Sequence, residues 1–272
     1  MEVRPEQLAD RIIEAYRRLP NDQRLLVAIA GPPGSGKSTL AYPLTDHLNA
    51  LLLLHRPPNP SHIERPQSLE LAEASDTQGE GDEIAICVGL DGWHYSRAEL
   101  DGFDDPDEAH WRRGAAFTFN QPSYHSFLLS LRQSSSSPDS DAQSIQFPTF
   151  DHALKDPSIS PSPIRPRHRI IIIEGLYTLL DKEGWRNSAE LADMRVWVEV
   201  DRKEARARVI KRNFEAGIVD SIEACEKRVD AVDMANGEEV RSYRVQPDYI
   251  ITSIEGRPFS TESFAEVSIN ES

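Results

Sequence analysis

Residues 24–38 read RLLVAIAGPPGSGKS. The first seven, Arg24–Ala30, form a continuous apolar run of the length of a strand buried on both faces. Gly31-Pro32-Pro33-Gly34-Ser35-Gly36-Lys37-Ser38 follows at once and fits G-x-x-x-x-G-K-[ST] in full. Helical periodicity then runs over Lys37–Leu54. Strand, glycine-rich loop and helix in that order predict a phosphate cradle. The glycines permit a tight turn that aims backbone N–H groups inward. The helix N-terminus adds partial positive charge. Lys37 is expected at the β- and γ-phosphates of a nucleoside triphosphate, and Ser38 on Mg²⁺, with Thr39 completing the first turn. The competing reading is an ordinary Gly/Pro turn, but such turns rarely carry Lys-Ser at a helix start.

The same style of element recurs along the chain. Glu83–Leu90 (EIAICVGL), Arg169–Ile173 (RIIII), Met194–Val200 (MRVWVEV) and Asp248–Ile254 (DYIITSI) read as further strands. Ser123–Leu131, Arg202–Gly217 and Ser221–Met234 read as helices, and Met1–Leu19 as an amphipathic helix lacking a signal-peptide core. Alternating strands and helices predict an α/β three-layer sandwich with a mainly parallel sheet, and ligands at the carboxyl ends of its strands. Residues 55–82, rich in Pro, Ser and Glu, and the Ser-rich 134–144 read as flexible insertions in a single domain spanning 1–272.

Composition narrows the partners. The chain carries 30 Lys and Arg against 45 Asp and Glu, a formal net charge of −15. That balance argues against a nucleic-acid or anionic-membrane surface, since both need clustered cations. No apolar run is long enough to span a bilayer. Two cysteines, in no metal-ligand spacing, fit a reducing, cytoplasmic compartment. A homo-oligomer is compatible with the sequence, which carries no signal for or against one.

Two strand ends carry acids. Asp91 follows the second apolar run and Glu174 the third. Phosphoryl transfer to a hydroxyl requires a held Mg²⁺ and a carboxylate that takes the acceptor proton. Asp91 is assigned as that base and Glu174 to the Mg²⁺ shell with Ser38; the bland alternative is helix capping. On the Arg202–Gly217 helix, Arg208 and Arg212 share a face with i, i+4 spacing, and with Arg206 they could form a lid that meets the phosphates. An ordinary solvated face paired with Glu204 and Glu215 is the competing reading. For the acceptor, the candidates are His94, Tyr95 and Arg97 after Asp91, Arg113 with Arg112 before Gly114, and Asp151-His152 beside Phe150.

In order, Gly31–Ser38, Asp91-Gly92-Trp93-His94, Arg112-Arg113-Gly114, Phe150-Asp151-His152, Glu174-Gly175-Leu176 and the Arg-rich helix at 206–212 resemble the phosphoribulokinase / uridine kinase / pantothenate kinase superfamily. The pattern is most similar to ATP-dependent kinase-like proteins of fungi and bacteria, and covers nearly the whole chain. The resemblance implies ATP and Mg²⁺ as cofactors, Asp91 as the catalytic carboxylate, Lys37 and the lid arginines on the donor side, and a small-molecule acceptor. Gly-Trp-His after Asp91 departs from the Ser-Phe-Tyr of uridine kinases, which points away from uridine or cytidine. Two other classes were weighed. A Ras-type GTPase would carry Asn-Lys-x-Asp, and no such run occurs. An ATP-binding pseudokinase with an accessory role, as in fungal secondary metabolism, would be expected to lack catalytic positions that are filled here.

Overall fold

The computed structural model describes residues 1–53, 82–133, 144–151, 153–217 and 221–253. The insertions read at 55–82 and 134–144 lie outside the described residues, apart from Asp82 and Ser144, and so does His152.

Seven strands and nine α-helices are described. β1 (Leu25–Ala30) is flanked by β5 (Ile170–Glu174) and β6 (Met194–Glu199), with β2 (Ala85–Gly89) and β7 (Tyr249–Thr252) outside them. The order is β2-β5-β1-β6-β7, and every pair is parallel. β1, β2 and β5 are buried throughout, which is why their sequences are unbroken apolar runs rather than alternating ones. Their side chains still alternate between two cores. Leu25, Val27 and Ile29 face α1 (Pro5–Arg18) and α2 (Lys37–Leu53), packing with Leu8, Ile12, Leu40, Leu44 and Leu48. Leu26 and Ala28 face the other way, into a cluster with Tyr124, Phe127, Trp185 and Trp197. That cluster is supplied by α5 (Gln121–Arg132) and α6 (Trp185–Glu190), which complete the third layer. Each large aliphatic side chain buried here contributes roughly 1.5–3 kcal/mol.

The outer strands are tied down by polar groups. Asn49 of α2 donates to the Ala85 carbonyl (2.9 Å) and accepts from the Ile84 and Ala85 amides (3.0 and 2.8 Å), satisfying the start of β2. Met1–Val3 pairs with Ile250 of β7 through Val3 N–H to Ile250 O (2.9 Å) and Ile250 N–H to Met1 O (2.8 Å).

Three elements differ from expectation. The stretch after Asp91 contains α3 (Arg97–Leu100) and α4 (Pro106–Trp111), started by a Ser96/Glu99 capping box and an Asp105 cap before Pro106. A small antiparallel hairpin, β3 (Pro148–Asp151) and β4 (Asp156–Ile159), follows the Ser-rich segment. The helix read as ending at Met234 runs on. α7 (Arg202–Glu215) is followed by α8 (Ile222–Arg228), a π-helical turn over Val229–Asp233, and α9 (Met234–Ser242). α7 and α8 share a separate small core of Val209, Ile210, Cys225, Val229 and Met234, so this helical lid packs as its own unit.

Candidate active site

The loop after β1 is held from three sides. Gly34 and Gly36 have φ of +78° and +85°, the left-handed region that side chains avoid. A Cβ on Gly34 would also lie 2.5 Å from the Ala205 carbonyl of α7, and one on Gly31 2.7 Å from the Val198 carbonyl of β6. From above, α9 presses Gly237 onto Pro32 and Pro33, leaving only 3.1–3.2 Å for a Cβ there. Internal bonds fix the rest: Ser35 N–H to Pro32 O (3.1 Å) and Thr39 Oγ1 to Gly36 O (2.7 Å). The side chain of Ser35 is fully buried and its Oγ has no partner.

Glu174 ends β5 directly opposite Gly89 of β2, one residue pair below Leu90 and Asp91. The neighbouring strand ends thus bring Glu174 and Asp91 together beside Lys37. Glu174 is buried, accepts a hydrogen bond from Ser38, and keeps one carboxylate oxygen, Oε2, without any partner. Burial pushes its carboxyl up to about 7, Lys37 pulls it down, and Asp91 pushes it up again. An orphaned buried carboxylate oxygen beside a Ser-bearing phosphate loop is a donor set that fits Mg²⁺. The two left-handed glycines, whose places no side chain could take, fit a polyphosphate above them. Asp91 itself is exposed and sits in a 3₁₀ turn, Leu90–Trp93, that lifts it off the sheet.

The lid arginines are distributed. Arg208 reaches the loop itself, donating to the Gly34 carbonyl (3.2 Å) and Ser253 Oγ (2.8 Å) while pairing with Glu204 (2.7 Å). Arg212 donates to Asn213 Oδ1 at 3.3 Å. Arg206 faces away and forms a two-point pair with Asp230 (2.7 and 2.9 Å). On the π-helical turn, burial holds the Asp233 carboxyl above its ordinary range despite Arg212 and Arg228 nearby. Asn236, a turn further on, is buried with its Oδ1 unpartnered. Neither was singled out in the sequence; the one available cue was the Asn-Gly pair at 236–237.

On the acceptor side, the β3–β4 hairpin closes over Asp91. Gly92 is required there, since a Cβ would stand 2.1 Å from the Pro148 carbonyl. His94 hydrogen-bonds through Nδ1 to the Asp91 carbonyl (2.8 Å) and lies between the rings of Phe119 and Phe150, at 3.9 and 5.3 Å. Burial lowers its pKa, so the imidazole is neutral at pH 7. Arg113 stands over the Phe150 ring (5.5 Å) and donates to the Tyr95 and Lys155 carbonyls (2.8 and 2.7 Å). Asp156 joins Arg113 (2.7 Å) to Arg97 (3.1 Å). Burial opposes the Asp156 charge, but hydrogen bonds from Arg97 and Arg113 outweigh it and hold the carboxyl below its ordinary range. Four of the expected residues therefore converge: Arg97 and Arg113 through Asp156, which the sequence did not single out, Tyr95 through its carbonyl to Arg113, and His94 through the Phe150 ring. Asp151 does different work: its Oδ1 accepts from the Ala153 and Leu154 amides (2.8 and 2.9 Å) and turns the chain out of β3.

A parallel five-stranded sheet with a phosphate loop after its central strand, two acids at the next strand ends and a helical lid defines an α/β P-loop kinase. Over 95% of this chain and 94% of the relative, the sequence is 31% identical to a Schizosaccharomyces pombe protein provisionally named uridine kinase C227.14. The chain belongs to the phosphoribulokinase / uridine kinase / pantothenate kinase superfamily of P-loop kinases. The crystal structure of YFH7 from Saccharomyces cerevisiae, provisionally assigned as a P-loop-containing kinase, matches with a TM-score of 0.70 at 26% identity, covering 92% of this chain and 99% of that one. A protein from Silicibacter sp. TM1040 provisionally named a fructose transport system kinase matches at 0.69 and 26% identity, covering 91% and 98%. No protein-family model matches the chain. No helix among the described residues is long and apolar enough to cross a membrane.

Proposed function

We propose that the protein transfers the γ-phosphate of ATP to a hydroxyl of a small metabolite, a sugar, a nucleoside or a related alcohol. The observation that supports this is the strand register that sets Glu174 opposite Gly89, with Lys37, Asp91 and Ser38 all acting on the Glu174 carboxyl. Gly34, Gly36, Lys37 and Ser38 offer backbone N–H groups to the phosphates, Lys37 neutralises their charge, and Ser38 with Glu174 would hold Mg²⁺. When bound, Mg²⁺ supplies charge neutralisation across the β- and γ-phosphates. Asp91, exposed and oriented by its turn, takes the proton of the attacking hydroxyl. Arg208 braces the loop from α7, and Arg212 faces the transferred group from the lid. His94, Tyr95, Arg97 and Arg113 form the acceptor wall, with Asp151 at its rim. A cytoplasmic location belongs to the same assignment and is supported by two buried cysteines in the thiol form, Cys87 and Cys225.

The test is ADP release with ATP, Mg²⁺ and a panel of alcohols. The names of the relatives put a nucleoside and a hexose on that panel. Acceptor-dependent release above the basal rate is expected. A broad panel on which no acceptor raises the basal rate would overturn the assignment.

A further inference from the structure

The opposite end of the sheet holds a second set of cations. A surface cavity of about 330 Å³ opens where β1 and β5 begin, lined by Arg24, Arg167 and Arg169 with Asp22 at the same wall. Its volume lies at the low end for small-molecule sites, which span about 300–1,000 Å³. Arg24 is almost wholly buried and donates only to carbonyls, His168 O (3.2 Å) and Leu131 O (3.3 Å). Arg169 likewise donates to Gln23 O (2.6 Å) and Pro20 O (2.7 Å), with its guanidinium over the Tyr16 ring. Among the described residues no carboxylate pairs with either. Arg167 meets Glu83 at 3.5 Å, but Glu83 Oε1 is already taken by His168 Nε2 at 3.0 Å, and Arg167 Nε is buried with no acceptor.

Three guanidiniums against two carboxylates, Asp22 and the buried Glu83 that Arg167 shares with His168, leave a net positive wall on a chain of net charge −15. Carbonyl bonds fix how Arg24 and Arg169 point, so the donors are preorganised rather than free to swing into solvent. The Arg24 guanidinium is held below its ordinary value, by burial first and then by Arg169, so the cluster carries a cost that a bound negative charge would relieve.

We propose that this cavity is a binding site for a small multivalent oxyanion, a phosphate ester or polycarboxylate, separate from the phosphate loop. The cavity stands at the amino end of β1 and the loop at its carboxyl end, so the two sites fill independently.

The experiment is calorimetric titration of the full chain carrying Lys37→Ala, which disables the loop, at matched ionic strength. Inorganic pyrophosphate and citrate are the probes and separate phosphates from carboxylates. Binding of at least one probe is expected in Lys37→Ala, weakened at least about tenfold by adding Arg167→Ala. Adding Asp22→Asn instead should tighten it, roughly two- to fivefold, a gain that misfolding cannot imitate. No binding in Lys37→Ala, binding indifferent to Arg167→Ala, or no tightening with Asp22→Asn would overturn the site.

Discussion

The donor and acceptor halves of this cleft are built differently. The proposed donor half is eight consecutive residues, locked by glycine geometry and by close contact with β6, α7 and α9. The acceptor half is assembled from side chains on separate elements, His94, Arg97, Arg113, Phe150 and Asp156, joined by rings and one bridging carboxylate. A backbone cradle tolerates little change and is shared by any triphosphate. A side-chain wall can be rebuilt one residue at a time, and that is where the proposed function puts acceptor choice.

The largest effect should come from the donor half. Lys37→Ala removes the loop cation proposed to meet the transferred phosphate and should lower transfer by about 10²–10³-fold, read as acceptor-dependent ADP release. Gly92→Ala probes the seam between the halves. A Cβ pressed against Pro148 should cost about 2 kcal/mol in urea unfolding, with the acceptor KM rising more than the ATP KM. Asp156→Asn weakens the bridge between Arg97 and Arg113; the acceptor KM should rise about tenfold while the ATP KM holds. Equal changes in both constants would erase the division between the halves.

Glu174 sharpens the comparison through pH. Its carboxyl lies at about 7 in the folded protein against 4.5 for the ordinary group, so between those values the native state holds the extra proton. Stability therefore falls as pH rises from about 4.5 through 7, by about 3 kcal/mol in the metal-free protein. Glu174→Gln should abolish that fall and be the more stable form at pH 8, read by urea unfolding in chelator.

What was legible in the sequence follows the same division. The phosphate loop is contiguous, and the buried strands declare themselves as apolar runs, so Gly31, Asp91 and Glu174 fell at strand ends and Lys37 at a helix start without any knowledge of contacts. The hairpin did not, because PTFD and DPSI carry Pro and Asp and alternate weakly, so Asp156 read as loop. The end of the lid was hidden by Gly237, which reads as a helix breaker. It continues the helix because a side chain there would crowd Pro32 and Pro33. Arg208 shows the limit of periodicity: it marked the correct face but not the Gly34 carbonyl that the side chain meets.

The most direct measurement is phosphorylation of a metabolite extract by the wild-type protein and by Asp91→Asn, followed by mass spectrometry, with ATP affinity measured on both. The wild type should add one phosphate to a metabolite in an ATP-dependent manner, and Asp91→Asn should add none while binding ATP as tightly. Equal product from Asp91→Asn, or no phosphorylated product from the wild type, would contradict the account.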